Sequence, residues 1–114
     1  MTHKVANEIK LYYEIAGKGD PVFFIHGLGS STTDWENQIP EFSKQYKTVT
    51  LDLRGHGQTG GAEGAFSIKQ FAADVAALIK EEYQPVHVIG ISMGGMVAFQ
   101  LTLDYPELVK SLVV

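Results

Sequence analysis

Between Val86 and Leu101 the chain runs from a short apolar stretch, Val86-His87-Val88-Ile89, through Gly90-Ile91-Ser92-Met93-Gly94, into Met96-Val97-Ala98-Phe99-Gln100-Leu101. A strand that turns straight into a helix through a G-x-S-x-G box leaves few folds open. Such a turn lifts the serine hydroxyl clear of a sheet. The flanking glycines, Gly90 and Gly94, leave room for the backbone to bend and for a small molecule to approach. The turn also puts the Met93 backbone N–H at the start of a helix, where donors are free and the dipole favours negative charge. The bland alternative is a glycine turn that only lets a helix pack closely on a sheet. The strand before and the helix after favour Ser92 as a nucleophile, which needs an adjacent base to take its proton.

The rest of the chain supplies the context. Ile9, Leu11, Tyr13 and Ile15 alternate with Lys10, Tyr12 and Glu14, the period of a half-exposed strand near a sheet edge. Gly17 to Pro21 reads as a turn, and Val22 to Ile25 as a strand covered on both faces. Thr33 with Glu36 predicts a short capped helix around Trp35, ending near Ile39 because Pro40 follows. Lys47 to Leu51 is a further strand, and Gly60 to Gly64 a mobile glycine-rich connection. Ser67 and Gln70 form a capping-box pattern. Behind it Ile68, Phe71, Ala72, Val75, Leu78 and Ile79 recur at helical spacing, with Asp74 elsewhere on the wheel. The helix after Ser92 is apolar nearly all round and is expected to be buried in a complete fold. Tyr105-Pro106 ends it, and Leu108 to Val114 begins another strand. Alternating strands and helices predict an α/β fold: a mostly parallel sheet with helices on both faces.

Composition narrows the function classes. A net charge of −4 argues against a nucleic-acid surface or a polybasic membrane patch. The chain has no cysteine, so disulfides and cysteine-ligated metal are excluded. Its N-terminus lacks the apolar core of a secretory signal, and no apolar stretch approaches the ~20 residues that span a bilayer. A cytoplasmic location without membrane or nucleic-acid partners is the expectation.

Two other glycine motifs follow strands. In His26-Gly27-Leu28-Gly29 the glycines free the backbone to aim an N–H, that of Leu28, at a substrate oxygen. His26 itself reads better as a brace for the loop than as a proton carrier. Gly55-His56-Gly57-Gln58-Thr59-Gly60 matches G-x-G-x-x-G literally. Dinucleotide binding needs a helix opening on that motif, and here the next helix begins near Ser67. His3, His26, His56 and His87 show no metal-ligand spacing, and His87 reads as a core histidine. Neither metal nor cofactor is expected.

Three motifs therefore stand in order: His26-Gly27, then Asp52-Leu53-Arg54-Gly55-His56-Gly57, then Gly90-Ile91-Ser92-Met93-Gly94-Gly95. Together they resemble the α/β-hydrolase superfamily, and most closely its serine esterase and enol-lactonase members. Tyr105-Pro106-Glu107 before an apolar strand is similar as well. The resemblance covers essentially the whole chain. It implies that Ser92 is the nucleophile and that the Leu28 and Met93 amides form the oxyanion hole. His26, Gly27, Gly90 and Gly94 would support the elbow and the loop, and Asp52, Arg54 and His56 would be structural. Serine at position 92 argues against the dehalogenase and epoxide-hydrolase branches, which use aspartate there.

The resemblance also implies a triad in the order Ser, Asp/Glu, His. After Ser92 the only carboxylates are Asp104 and Glu107, and no histidine follows. Residues 1–114 are therefore expected to be the N-terminal part of one core domain. The complete enzyme would hydrolyse a small-molecule ester, thioester or lactone, and this part alone would be inactive. The alternative is a non-catalytic or partner-dependent half-domain that self-associates through its exposed sheet edge.

Overall fold

The computed structural model describes residues 2–6, 9–59, 67–82 and 84–114, with 2–6 as backbone only. The connection expected over Gly60 to Gly64 lies outside the described residues. Six strands form one sheet: β1 (Thr2–Ala6), β2 (Ile9–Ala16), β3 (Pro21–Ile25), β4 (Lys47–Leu51), β5 (Val86–Gly90) and β6 (Val109–Val113). Their order is β1-β2-β4-β3-β5-β6. β1 and β2 pair antiparallel, as do β2 and β4, while β4, β3, β5 and β6 run parallel. The helices are α1 (Ile39–Phe42), α2 (Ile68–Ile79) and α3 (Met93–Asp104).

β3 sits between β4 and β5, and all five of its residues are buried. Its side chains alternate between two cores. Phe23 and Ile25 join Val49, Leu51 and Val88 against the apolar faces of α2 and α3. Val22 and Phe24 face the other way, onto Trp35, Ile39 and Phe42. Helices thus lie on both faces, but among the described residues the second face carries only a short 3-10 turn (Thr32–Trp35) and the four-residue α1.

α2 begins where its cap predicts: Ser67 Oγ accepts the Gln70 N–H at 3.0 Å. Three expectations change. The segment around Trp35 is a 3-10 turn capped by Ser31, whose Oγ accepts the Thr33 N–H. Pro40 does not end a helix but opens α1, because proline's missing N–H costs nothing in a first turn. β2 lies near the sheet edge as expected, one strand in, with β1 paired outside it. Tyr12 is buried, its hydroxyl donating to Glu14 and its backbone N–H to Thr59 Oγ1 at 3.0 Å.

α3 is buried on one side only, through Gly94, Gly95, Val97, Ala98 and Leu101. Met96, Phe99 and Leu103 are exposed, Leu103 by 76%. No helix among the described residues is long and apolar enough to cross a membrane.

Candidate active site

At the end of β5 the chain makes its most constrained turn. Ile91 N–H donates to Ile25 O at 3.2 Å, tying the turn to the end of β3. Ser92 then takes φ 55° and ψ −119°, the only positive φ of a non-glycine among the described residues. A conformation of this kind costs about 1–3 kcal/mol and persists only where neighbours enforce it. The enforcement is visible. Ile91 O accepts Gly94 N–H at 2.8 Å, and Ser92 O accepts Gly95 N–H at 2.9 Å, so the chain enters α3 without a spacer.

The two glycines serve this closeness. A Cβ on Gly90 would lie 2.3 Å from Gly94 O, and one on Gly94 would lie 2.1 Å from Ile25 O. The space they leave is filled by backbone packing rather than left open to a small molecule. Ser92 itself is exposed, and Met93 N–H, at the first position of α3, has no hydrogen-bond partner among the described residues.

The loop after β3 lies beside the serine. A Cβ on Gly27 would come 3.5 Å from Ser92 Cβ. Ser30 N–H closes a turn onto Gly27 O at 3.2 Å, with Gly29 at φ 75°. Leu28 stands at the tip of that turn, 75% exposed, and its N–H has no partner among the described residues. Two unpartnered amides on separate loops therefore flank one strained serine.

Side-chain acceptors hold this loop. His26 is fully buried, with Nδ1 2.7 Å from Gly27 O and Nε2 accepting Leu53 N–H at 2.9 Å. The proton must then sit on Nδ1, which donates to Gly27 O. Asp34 Oδ2 accepts Gly27 N–H at 3.3 Å and its Oδ1 accepts the Ser30 hydroxyl. Asp52 divides its carboxylate between two loops: Oδ1 accepts Thr32 N–H and Oδ2 accepts Gln58 N–H, both at 2.8 Å. Thr59 Oγ1 donates to Asp52 O at 2.6 Å. Arg54 reaches α2, where Nε and Nη2 each meet an oxygen of fully buried Asp74 at 2.9 Å. Asp34 and Asp74 escape a motif reading. The four-residue spacing of Ser30 and Asp34 around a short turn is the one local signal for the first. His87, expected in the core, is half-buried with Nδ1 2.6 Å from Ser111 Oγ.

Burial pushes the His26 pKa below its ordinary value of 6.5, and the neighbouring His56 adds to this. The Gly27 carbonyl, Asp52 and Asp34 offset part of the shift. The folded state therefore favours neutral His26, and below pH 6.5 the unfolded chain binds the extra proton more readily. The stability that neutral His26 supplies is complete above pH 6.5 and is lost as pH falls from there through the lower folded value. Urea midpoints measured from pH 8 down to 5 should fall with this slope, and His26→Gln should flatten it.

Among the described residues no group of three or more His, Cys, Asp or Glu is placed to hold a metal ion.

The model of the alpha/beta hydrolase fold family matches residues 20–114. The chain is 44% identical over 108 residues to a Mycobacterium tuberculosis protein named "Putative non-heme bromoperoxidase BpoC", covering 92% of this chain and 41% of that protein. It is 36% identical over 115 residues to the soluble epoxide hydrolase of Corynebacterium sp. strain C12, covering 98% of this chain and 40% of the relative. Among solved structures, epoxide hydrolase VrEH1 from Vigna radiata superposes with a TM-score of 0.93 at 30% identity, over 97% of this chain and 36% of its own. Est816, described as an N-acyl homoserine lactone degrading enzyme, gives 0.92 at 31% identity, over 99% and 44%. The chain thus spans about 41% of the length of the first curated relative it matches. The matched family model, the sheet order and the strand–turn–helix at Ser92 agree: this chain belongs to the alpha/beta hydrolase family.

Proposed function

We propose that this chain carries the nucleophile half of a serine hydrolase acting on ester, thioester or lactone bonds. One observation carries the reading: exposed Ser92, held at φ 55°, stands beside two amides without partners, those of Leu28 and Met93. In the complete enzyme a base takes the Ser92 proton and Oγ adds to the acyl carbon. The carbonyl oxygen becomes an oxyanion that accepts from the Leu28 and Met93 N–H groups, each worth about 3 kcal/mol in the transition state. Collapse expels the alcohol or thiol, which takes the proton, and water then releases the acid from the acyl-enzyme. A hydroxyl, two amides and a base suffice, so no cofactor enters.

The base and its acid partner come from outside residues 1–114. His26 has both ring nitrogens engaged, while His56 meets Arg54 O and His87 meets Ser111 Oγ, each through Nδ1. The choice of acyl over epoxide chemistry rests on serine at position 92, despite relatives named as epoxide hydrolases. In a protein that supplies the acid and histidine, an activated ester should leave its acyl group on Ser92, read by peptide mass spectrometry, and Ser92→Ala should lose it. Acylation elsewhere, with Ser92 untouched, overturns the assignment. Steady turnover by the 114-residue chain alone, lost in Ser92→Ala, overturns the external base.

A second reading, a partner-dependent half-domain, is favoured by the exposed Met96, Phe99 and Leu103 on α3. It predicts a single oligomeric species on sedimentation of the 114-residue chain. Polydisperse aggregate speaks against it.

A further inference from the structure

A groove of about 350 Å³ opens on the sheet face away from α2 and α3, between β2, β4 and the turn that leads to α1. Its floor is set by strand register. Glu14 lies directly opposite Thr50, and Ala16 opposite Thr48. Cross-strand partners of this kind hold their Cβ atoms about 5 Å apart, so the Glu14 carboxylate and the Thr50 hydroxyl share one reach. Ala16 is too small to fill the neighbouring space.

The polar groups of this floor are unevenly satisfied. Thr48 donates to Ala16 O at 2.9 Å. Thr50, only 4% exposed, has no hydrogen-bond partner for its hydroxyl among the described residues. Among the described residues only Trp35 Nε1 is a fully buried side-chain polar atom without a partner, so the Thr50 hydroxyl is reachable from the groove and open to a ligand group. Glu14 accepts from Tyr12, whose pKa is raised first of all by that bond, so the phenol stays a donor. Glu36 stands across the groove. Neither glutamate has an ion-pair partner among the described residues, and no basic residue lines the groove. The remaining wall is apolar, through Ile39 and Pro40.

We propose that this groove binds a small primary alkylammonium, its ammonium between Glu14 and the Thr50 hydroxyl with Glu36 facing it, and its alkyl stem along Ile39 and Pro40. An ammonium has three donors and no acceptor, which matches two carboxylates without ion-pair partners and a free hydroxyl. The apolar wall selects an organic cation over a hydrated metal ion, which needs about six oxygen ligands and no hydrocarbon surface.

The test is a titration of the ¹⁵N-labelled 114-residue chain with n-butylammonium chloride at constant ionic strength, with n-butanol and magnesium chloride in parallel. Saturable shifts of the Ala16, Thr48 and Thr50 amides, with millimolar affinity, are expected for the amine alone. Glu14→Gln should weaken binding roughly fivefold, the size of one partly exposed charge contact. Glu36→Gln, on an exposed turn, reads the charge without touching the Tyr12 contact, and Thr50→Val reads the hydroxyl. Each should also weaken binding. Absent or non-saturable shifts overturn the proposal. So does an equal response to n-butanol, which would mean apolar contact only, or to magnesium, which would mean a cation without a stem.

Discussion

Gly94→Ala is expected to remove about 4 kcal/mol of stability, enough to unfold much of a small domain, whereas Gly95→Ala one residue along should be neutral or slightly stabilising. The contrast follows from what each methyl would meet. A Cβ on Gly94 would lie 2.1 Å from Ile25 O and 2.5 Å from His26 O. Both are backbone atoms in the strand and loop that flank Ser92, and neither can swing aside as a side chain does. Relief requires α3 to move off β3, which breaks the Ile91–Ile25 bond and the packing of Val97 and Ala98. A Cβ on Gly95 would instead lie 3.5 Å from the Val114 side chain, an ordinary contact. There alanine also gains up to about 1 kcal/mol over glycine inside a helix. Thermal and urea unfolding of the two variants checks the pair. Similar midpoints would show that the elbow glycines do not set the helix-to-strand distance.

That pair also marks what a sequence can and cannot disclose. β4, β5 and α2 are legible because their signals are local: an apolar run, or a cap and a helical repeat. Ser67 Oγ meets Gln70 N–H as its capping pattern predicts. The strand–turn–helix around Ser92 is legible for the same reason, since the glycines, the serine and the flanking runs lie within one short stretch. Thr32 to Phe42 is harder. Proline, threonines and two aromatics allow either one short helix or two turns, and packing of Trp35 and Phe42 on Phe24 selects the latter. β1 carries no strong alternation, and its strand character comes from its pairing with β2.

The supports of the candidate site are the least legible part. Asp52 follows a strand and precedes glycines, which points only to a loop. Its division between Thr32 N–H and Gln58 N–H depends on segments 20 residues before and six after. Tyr12 alternates with apolar neighbours and so reads as solvent-facing. It is buried because Thr59 and Glu14 satisfy its polar groups. In each case the deciding partner is tertiary, and periodicity carries no information about it.

Asp74 is the clearest such case and carries the second large effect: Asp74→Ala should cost about 3 kcal/mol. On a helical wheel a charged residue among alanines reads as the solvent face, yet Asp74 is 0% exposed. What permits burial is Arg54, 20 residues earlier, whose guanidinium meets both carboxylate oxygens at 2.9 Å with only 17% of its side chain exposed. Truncating Asp74 removes two charge-assisted bonds and leaves a largely desolvated cation facing a methyl group. The penalty is for a largely buried charge that has lost its carboxylate more than for the bond itself. Arg54→Met with Asp74→Leu together should therefore cost much less than Asp74→Ala alone, because hydrophobic contact replaces the pair at similar volume. Urea unfolding of the single and double variants separates the two accounts. If the double variant is as unstable as the single, the pair contributes through geometry that hydrocarbon cannot reproduce. In that case the loop of Asp52, which Arg54 ties to α2, should also lose its hold on Thr32, seen as faster hydrogen exchange of the Thr32 amide.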